Sequence, residues 1–477
     1  IAIIGGGLSG LSTAVQIHLD DPQIGLRLFE ASDRVGGVID TVSCDGFQID
    51  LGADMFSTQP PAAMDLLRRM GLEDQLILPK AAGRGARILH RGRLVDLPEG
   101  FVLMRATRLL PMLTTPLLSP AAKLRFLTER WRKPLLSADE SEDVSVGQFV
   151  RHRLGPQMLE RVVGPLVAGI YTADVERLSM RATMGPIAAM ERRSGSLAKA
   201  TSARRRSGDD SLERTSSGAR YEQFRAFRGG MIELISTLAD SLPANTIRLS
   251  SPVESIRRSG SQWTVAVSGK SETFDEVVVA VPPVAASNLI RSHAPDAAEE
   301  LAKIESASTA IVVLGARESE IERDINTFGF VVPLTEGRRI LAGSFASHKF
   351  AGRAPQGHVL MRVFVGGAMQ PQLLRLTDEQ LVELVRDELA ELIGYHGEPE
   401  LTRVVRWNNA MPQYHVGHRE RVERIEQAMA RVDGLSLMTN ALHGVGIAPV
   451  IRQAGTVAKT ISARWQESSH APSGQRA

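Results

Sequence analysis

A glycine-rich turn near the N-terminus, Gly5-x-Gly7-x-x-Gly10, constrains the fold of this chain more than any other feature of its sequence. The turn follows an apolar run that reads as a strand and precedes a run in which apolar residues recur with helical spacing. In such a turn the first glycine permits a tight bend, the second lets backbone approach a pyrophosphate, and the third lets helix and strand pack closely. The helix N-terminus then offers amide donors to the phosphates. The sequence therefore predicts a dinucleotide-binding domain of the Rossmann type.

An acidic residue at the end of the next predicted strand supports a nucleotide site. Glu30 follows Gly10 by 20 positions and closes an alternating run that starts at Gly25. Its carboxylate is suited to accept hydrogen bonds from the ribose hydroxyls of an adenosine, and it would repel the 2′-phosphate of NADP. The alternative is a purely structural turn followed by a solvated carboxylate. That alternative explains the turn or the carboxylate alone. It does not explain why strand, glycine turn, helix and Glu30 occur together at the spacing of a nucleotide-binding unit.

The segment after Glu30 favours FAD over NAD. Arg34-x-Gly36-Gly37-x-x-x-Thr41 stands where a purely NAD-binding domain would continue with its third β-α unit. A second glycine pair suits a backbone that wraps a long cofactor lying across the sheet, the alternative being a hairpin turn with an unrelated arginine. Residues 46–54 then read as a strand ending in small residues that could approach an isoalloxazine ring. FAD is therefore the predicted cofactor.

Composition excludes several other classes of protein. The 56 lysines and arginines nearly balance the 54 aspartates and glutamates, so there is no electrostatic case for a nucleic-acid partner. The one cysteine, Cys44, rules out an intrachain disulfide and a multi-cysteine metal site, and we predict no metal site. We read no signal peptide and no membrane-spanning segment, since the long uncharged runs are dense in glycine and small polar residues.

The character of the chain changes along its length. Leu-, Arg- and Pro-rich helical segments run from residue 99 to about 190, and residues 194–220 hold too few large apolar side chains to form a core. Two β-rich parts follow at 246–282 and 310–367, and an amphipathic helix is predicted over 378–393. These patterns predict a mixed α/β protein with more than one domain.

At this point the sequence resembles a known family. Its N-terminal glycine motifs are similar to those of the FAD proteins of the amine oxidase superfamily. Later segments narrow the resemblance to the oxygen-dependent protoporphyrinogen/coproporphyrinogen oxidase family, over about residues 1–460. The segments that carry it are 145–156 (SVGQFVRHRLGP), 165–171 (PLVAGIY), 178–182 (LSMRA), 229–231 (GGM), 327–333 (TFGFVVP), 353–355 (RAP), 412–418 (PQYHVGH) and 444–447 (GVGI).

The resemblance implies which residues contact FAD. In the family, the first glycine motif and the acid after the second strand hold the ADP half, and the later loops lie along the flavin. The last helix, opened by residues 445–447, would direct amides at the flavin edge, where negative charge develops on reduction. The residues implied are Gly5, Gly6, Gly7, Leu8, Ser9, Gly10, Glu30, Ala31, Arg34, Gly37, Val38, Gly52, Ala53, Asp54, Met55, Val253, Val445, Gly446 and Ile447, with Trp407 as a further candidate that could equally be a core residue.

The resemblance also implies a substrate and a reaction. Phe328, Gly329 and Val331 match the segment that sandwiches a porphyrinogen macrocycle, with Val331 in place of the more usual leucine. Arg87 and Arg84 are both candidates to pair a propionate, because the register of their segment slips by about one residue. The implied reaction is the six-electron oxidation of a porphyrinogen by FAD and O2 in haem biosynthesis, with protoporphyrinogen IX and coproporphyrinogen III both open as substrates. We name no catalytic side chain.

The family's architecture implies a location and a domain plan for this chain. We expect a cytoplasmic protein, in peripheral contact with the inner face of the cell membrane through its basic and apolar helical part, although a buried helical subdomain explains that part almost as well. A homodimer is left open. The predicted parts are an FAD-binding domain (1–75, 221–285 and 425–470), a β-sheet substrate domain (76–98 and 286–424), a helical insertion (99–193) and a flexible low-complexity loop (194–220).

Two other readings remain as alternatives. A flavin amine oxidase or carotenoid desaturase-like enzyme would share the region Gly5 to Thr41, but the sparse aromatic residues after 378 and the position of Cys44 disfavour it. A non-catalytic carrier resembling the Rab escort and dissociation-inhibitor proteins would keep the fold without flavin. The intact glycine motif and Glu30 disfavour that reading.

Overall fold

The computed structural model describes residues 1–83, 85–136, 141–207 and 223–470. The first part of the chain builds strand, helix and strand around the glycine-rich turn, and then adds a hairpin and a short helix. Every residue of the first strand is buried, as expected for a strand covered on both faces. The elements are β1 (Ala2–Ile4), α1 (Leu8–Asp20), β2 (Arg27–Phe29), β3 (Thr41–Cys44), β4 (Phe47–Asp50), β5 (Phe56–Ser57), α2 (Ala62–Arg69) and β6 (Leu76–Ile77).

The next part is mainly helical, as its composition predicted. It starts with two short hairpins, and a π-helical turn at Leu159–Val163 joins two of its helices. The elements are β7 (Arg87–His90), β8 (Arg93–Asp96), β9 (Phe101–Val102), β10 (Arg105–Ala106), α3 (Leu109–Thr114), α4 (Pro120–Leu127), α5 (Val146–Arg153), α6 (Pro156–Met158), α7 (Gly164–Tyr171), α8 (Met180–Thr183), α9 (Gly185–Ser194) and α10 (Leu197–Ser207).

The chain then returns to the first sheet and later builds a second one. The elements of this half are β11 (Phe224–Phe227), α11 (Ile232–Asp240), β12 (Ile247–Arg248), β13 (Val253–Ser259), β14 (Gln262–Val267), β15 (Lys270–Phe274), β16 (Val277–Val279), α12 (Pro283–Ile290), α13 (Pro295–Ala302), β17 (Ser306–Arg317), β18 (Gly329–Val331), β19 (Ala342–Phe345), α14 (Ala346–Lys349), β20 (His358–Gly366), α15 (Asp378–Ile393), β21 (Leu401–Pro412), α16 (His418–Met429), β22 (Leu435–Leu437) and α17 (Ile447–His470).

The first sheet is parallel and has five strands, in the order β12-β2-β1-β16-β22. One face packs against α1, α11 and α17 through an apolar cluster that includes Leu11, Leu234 and Ile451. The other face packs against the β13-β14-β15 meander and the helices α12, α13 and α16. This is a Rossmann-type arrangement, so the predicted fold class is confirmed.

The second sheet has seven strands, in the order β21-β17-β20-β19-β18-β7-β8. Its outer face is covered by α15, whose buried residues include Leu381, Val385 and Leu389. Its inner face meets the helical part and the β3-β4 hairpin. The mixed α/β architecture therefore contains a large β-sheet beside the nucleotide-binding sheet, with helices packed on both of its faces.

One prediction about the chain's organisation is wrong. Residues 197–207, expected to belong to a flexible loop, form α10. The helix is anchored because Leu197 and Ala200 are buried and the Glu129 carboxylate accepts hydrogen bonds from the backbone N–H groups of Leu197 (3.0 Å) and Ala198 (2.9 Å). Residues 208–220 of that predicted loop lie outside the described residues. Within the part of the chain that is described, no helix is long and apolar enough to cross a bilayer.

Candidate active site

One edge of the parallel sheet collects the segments predicted to bind the cofactor. Because its strands run in the same direction, the loops that follow β1, β2 and β22 leave from the same edge. These loops hold Gly5 to Gly7, Glu30 and residues 438–446, and Gly10 follows in the first turn of α1. The structure therefore brings together the predicted phosphate loop, the predicted ribose acid and the segment before α17.

The phosphate loop is tied to Glu30. The backbone N–H of Gly6 donates to Oε2 of Glu30 at 2.6 Å, and Ser32 donates from N and Oγ to Oε1 at 2.9 and 2.7 Å. From the described residues, Oε1 already accepts two hydrogen bonds, but Oε2 accepts only one, so Glu30 retains capacity for a ribose hydroxyl at Oε2. Apart from the chain neighbours of Gly7, no atom of the described residues lies within 4 Å of the place where a Cβ on Gly7 would stand. This cradle beside the α1 N-terminus fits a pyrophosphate.

The second glycine pair packs against the first. Gly36 donates from N to the Gly6 carbonyl at 2.8 Å, and Val38 is exposed at 45% beside it. The Arg34 guanidinium donates to the carbonyls of Gly37 (2.8 Å) and Val35 (3.1 Å). The Arg34 side chain therefore holds this loop by bonding to the loop's backbone carbonyls. Its predicted contact with the cofactor stays a prediction.

A buried group of charges supports the predicted flavin loop, Gly52 to Met55. Asp54 pairs with Lys349 at 2.7 Å and with Arg362 at 3.0 Å, and Arg362 also donates to the Gly52 carbonyl. Burial alone would raise the pKa of Asp54, but the two cations outweigh it and hold that pKa well below its usual range. Sequence reasoning missed Lys349 and Arg362 because both are distant in sequence and lie in no glycine or acidic motif.

A second buried acid explains two of the segments that carried the resemblance. Asp50 accepts hydrogen bonds from Thr41 Oγ1 (2.6 Å) and from the backbone N–H of Met231 (2.8 Å). Arg353 lies 3.6 Å from it and donates to the Phe227 carbonyl at 2.9 Å. Burial raises the pKa of Asp50. These contacts fix the β3-β4 hairpin against α11 and thus position the loop that follows it.

The remaining cofactor candidates lie at the ends of this site. Trp407 donates from Nε1 to the Leu51 carbonyl at 2.9 Å, so it braces the start of the predicted flavin loop. Val253 begins β13, and the nearby Ser251 donates from N to the Glu30 carbonyl at 2.8 Å. Val253 is therefore close to the predicted ribose acid, where its predicted contact with FAD would fall on the adenosine side. Whether these residues touch FAD stays a prediction.

The predicted substrate residues lie on the inner face of the second sheet or in its core. Val331 belongs to an apolar cluster, here the inner cluster, in which sheet residues pack with residues of the helical part. Val445, just before α17, packs against the same cluster. Phe328 is 2% exposed, and a Cβ on Gly329 would overlap the Gly343 carbonyl oxygen, which explains that glycine. Representative members of the inner cluster are Ile88, Val163, Val167, Val331, Ala342 and Tyr414.

Arg87 does not join these residues. In the pairing of β7 with β18, Ile88 lies opposite Val331 and Arg87 lies opposite Phe330. Since side chains alternate along a strand, Arg87 points to the face away from Val331. Its guanidinium is already paired with Asp96 (2.9 Å) and Asp324 (2.6 Å). The other candidate, Arg84, lies outside the described residues.

Taken together, the Rossmann-type sheet, the phosphate cradle and the second glycine loop define a dinucleotide-dependent flavoprotein. Among the described residues, no group of three or more His, Cys, Asp or Glu side chains is placed to hold a metal ion. The chain belongs to the family described as flavin containing amine oxidoreductase, which matches residues 8–461. The predicted FAD cofactor and the predicted oxidoreductase class are thereby confirmed.

More specific similarities are found among named relatives. The coproporphyrinogen III oxidase of Bacillus subtilis is 31% identical over 95% of this chain and 96% of its own length. That of Staphylococcus aureus is 32% identical over 97% and 99%. A crystal structure from Exiguobacterium sp. 255-15, described as a candidate protoporphyrinogen oxidase, superimposes with a TM-score of 0.84 at 28% identity and covers 97% of this chain and 98% of that one. The resemblance read from the sequence is confirmed.

Proposed function

We propose that this protein oxidises a porphyrinogen to the corresponding porphyrin in haem biosynthesis. The observation that carries the proposal is the inner cluster. Val331, at the predicted substrate face, belongs to this cluster, and Val445, at the predicted flavin edge, packs against it. An apolar wall beside the flavin suits a planar macrocycle, and similarity to coproporphyrinogen III oxidases over nearly the whole chain supports this substrate class.

The chemistry divides between cofactor and chain. FAD, when bound, would accept two electrons, the reducing equivalents of two hydrogens, per turnover, and O2 would reoxidise it with release of H2O2. Three such turnovers remove six hydrogens from the macrocycle and consume three O2. Val331 and its neighbours in the inner cluster would orient the macrocycle and exclude water from its face. The amides at the start of α17 would stabilise negative charge at the flavin edge.

Coproporphyrinogen III is our proposed substrate, with protoporphyrinogen IX as the second candidate. The relatives at 31% and 32% identity are named coproporphyrinogen III oxidases, whereas the Exiguobacterium structure is described as a candidate protoporphyrinogen oxidase. The test follows porphyrin fluorescence in air after each porphyrinogen is added to the purified flavoprotein. A higher kcat/KM for coproporphyrinogen III is expected. Bound flavin without turnover of either compound would refute the proposal and redirect the search to amines and desaturase substrates.

We further propose that the helical part rests on an anionic membrane surface at the cytoplasmic side. Residues 109–131 expose large apolar side chains, among them Leu110 (69%) and Trp131 (74%). The exposed cations Arg108 and Arg130 lie in or beside this segment. Apolar side chains flanked by cations match the interface of a bilayer that carries anionic lipids.

The membrane proposal can be tested by vesicle sedimentation. The protein is expected to bind vesicles that contain both phosphatidylglycerol and phosphatidylcholine, and to bind them less in high salt. It should not bind vesicles of pure phosphatidylcholine. Leu110→Asp should reduce binding. Leu334→Asp is the matched control, because Leu334 is also exposed (49%) but lies after β18 in the second sheet. Equal binding by all three proteins would exclude this surface as the contact.

A further inference from the structure

The segment 412–418, which joins β21 to α16, carried part of the resemblance but has no role in the site described so far. On one side it is bound to the helical part. The Tyr414 carbonyl accepts from the Ser179 N–H at 2.7 Å, and the Val416 N–H donates to the Arg177 carbonyl at 2.9 Å. Asp143 accepts from the Gly417 N–H at 3.3 Å. The backbone of the segment is therefore fixed against the helical part, independently of the segment's side chains.

On its other side, the segment reaches the turn before α17. The Tyr414 hydroxyl accepts a hydrogen bond from the Gly444 N–H at 2.9 Å and donates one to the Asn440 carbonyl. His418 stacks on the Tyr414 ring, with centroids 4.0 Å apart, and its Nε2 lies 3.1 Å from the Leu442 carbonyl. Both side chains are almost fully buried. Two stacked rings thus bind the carbonyls of Asn440 and Leu442, two residues apart in one turn.

Local hydrogen bonds hold the first part of this turn, where Thr439 accepts from the N–H groups of Ala441 and Leu442 at 3.3 Å, but the last three residues of the turn include two glycines. Gly444 has a φ of +127°, a conformation that other residues rarely adopt, and Gly446 is exposed. Glycine gives the backbone freedom but no side chain with which to anchor it. The conformation of residues 444–446 therefore depends on groups outside the turn, and the Tyr414 hydroxyl bonds to Asn440 at the start of the turn and to Gly444 beyond its middle.

We propose that Tyr414 is a positioning residue for the flavin, because its hydroxyl fixes the turn 440–446 and so sets the direction of the amides at residues 445–447. The inference rests on the proposed placement of the flavin against the start of α17. Tyr414 acts through the backbone of that turn and takes no part in the chemistry itself. The segment 412–418 thereby connects the helical part, which borders the inner cluster, to the flavin edge.

The test compares Tyr414→Phe with Tyr395→Phe. Both change one buried tyrosine, but the Tyr395 hydroxyl has no hydrogen-bond partner among the described residues and lies in the cluster under α15, across the second sheet. Tyr414→Phe should raise the Kd for FAD by roughly three- to tenfold, as expected for one lost hydrogen bond. It should also lower the midpoint potential of the bound flavin, because misdirected amides stabilise reduced flavin less well. Tyr395→Phe should change neither property.

A second variant guards against a purely structural explanation. His418→Phe keeps a ring for stacking on Tyr414 but removes the bond to the Leu442 carbonyl, so it should shift the flavin potential in the same direction. Unchanged FAD affinity and potential in Tyr414→Phe would overturn the proposal. None of these measurements uses a porphyrinogen. A flavoprotein that turned over no porphyrinogen would therefore refute the proposed function and leave this comparison intact.

Discussion

Gly10 lies so close to Gly5 that a Cβ atom on Gly10 would overlap the Gly5 carbonyl oxygen, so α1 packs against β1 at a distance that only glycine permits. Gly7 lies between them in sequence, but neither its backbone conformation nor its packing calls for glycine. Its φ of −72° suits any residue, and in the described part of the chain no atom other than those of its neighbours lies within 4 Å of its Cβ position. The fold itself does not require glycine at position 7, which suggests that a ligand does.

Gly7→Ala should therefore separate folding from cofactor binding. We expect its free energy of unfolding without FAD to stay within about 1 kcal/mol of the wild type, since the new methyl group meets no protein atom. The Kd for FAD should rise by roughly tenfold or more, because the methyl group would occupy the pyrophosphate cradle. Gly25→Ala is the control, as Gly25 also has no atom within 4 Å. Normal FAD binding by Gly7→Ala would place the pyrophosphate elsewhere.

The proposed substrate wall can be tested by comparing Val331→Ala with Val332→Ala, a substitution of the next residue. The two residues are adjacent and buried, but Val331 faces the inner cluster and Val332 the cluster under α15. Each truncation should cost about 1–3 kcal/mol of stability. Only Val331→Ala should raise KM for the porphyrinogen, measured by fluorescence under steady-state conditions. A similar rise in both variants would show that the effect travels through the fold.

The local parts of the fold were predictable from sequence. The β-α-β unit at the N-terminus depends on glycines and apolar spacing within 30 residues. The helix predicted over 378–393 has those bounds in the structure, because its apolar stripe is regular and Thr377 and Gln380 form a capping box at its start. In both cases neighbours in sequence determine the structure.

The failures concern residues whose partners are distant in sequence. α10 has few apolar residues, and it is held by Glu129, which no local pattern connects to it. The face on which Arg87 lies depends on the register of β7 against β18, and a change of one residue would reverse it. Lys349 and Arg362 reach Asp54 only after the second sheet has formed. Such contacts arise from tertiary structure and leave no local signal.

Asp54→Asn should destabilise the protein strongly. The substitution removes the negative charge that lies between Lys349 and Arg362, and both cations would stay buried without it. Loss of one partner from a buried ion pair costs about 3–5 kcal/mol. Urea unfolding should show this loss, and FAD should dissociate more readily because Arg362 also holds the Gly52 carbonyl.

The control for Asp54→Asn is Glu400→Gln. Glu400 contacts Arg317 and His358 at the surface, and the side chains of Glu400 and Arg317 are at least 40% exposed. Solvent screens such a pair, so its loss should change the unfolding free energy by less than about 1 kcal/mol. Comparable losses in the two variants would mean that the Asp54 cluster is far better solvated than its burial indicates.

The last prediction concerns acid sensitivity. Burial lowers the pKa of His418 to about 4 in the folded protein, and the nearby Arg421, His443 and His415 reinforce the shift. In the unfolded chain this pKa returns to about 6.5. Between these two values the unfolded chain holds a proton that the folded chain does not. Lowering the pH from 6.5 to 4 should therefore reduce the free energy of unfolding, while above 6.5 the contribution of His418 stays constant.

The size of this effect can be isolated with His418→Phe, which has no titrating group at that position. Other acids and histidines titrate in both proteins, so the difference between their pH profiles reports on His418. Urea unfolding between pH 7.5 and pH 4.5 should give a steeper fall for the wild type, by on the order of 2–3 kcal/mol in total. Parallel profiles would mean that His418 is protonated in the folded state. In that case its stacking on Tyr414 and its contact with the Leu442 carbonyl would involve a cation, since a protonated ring donates from both nitrogens.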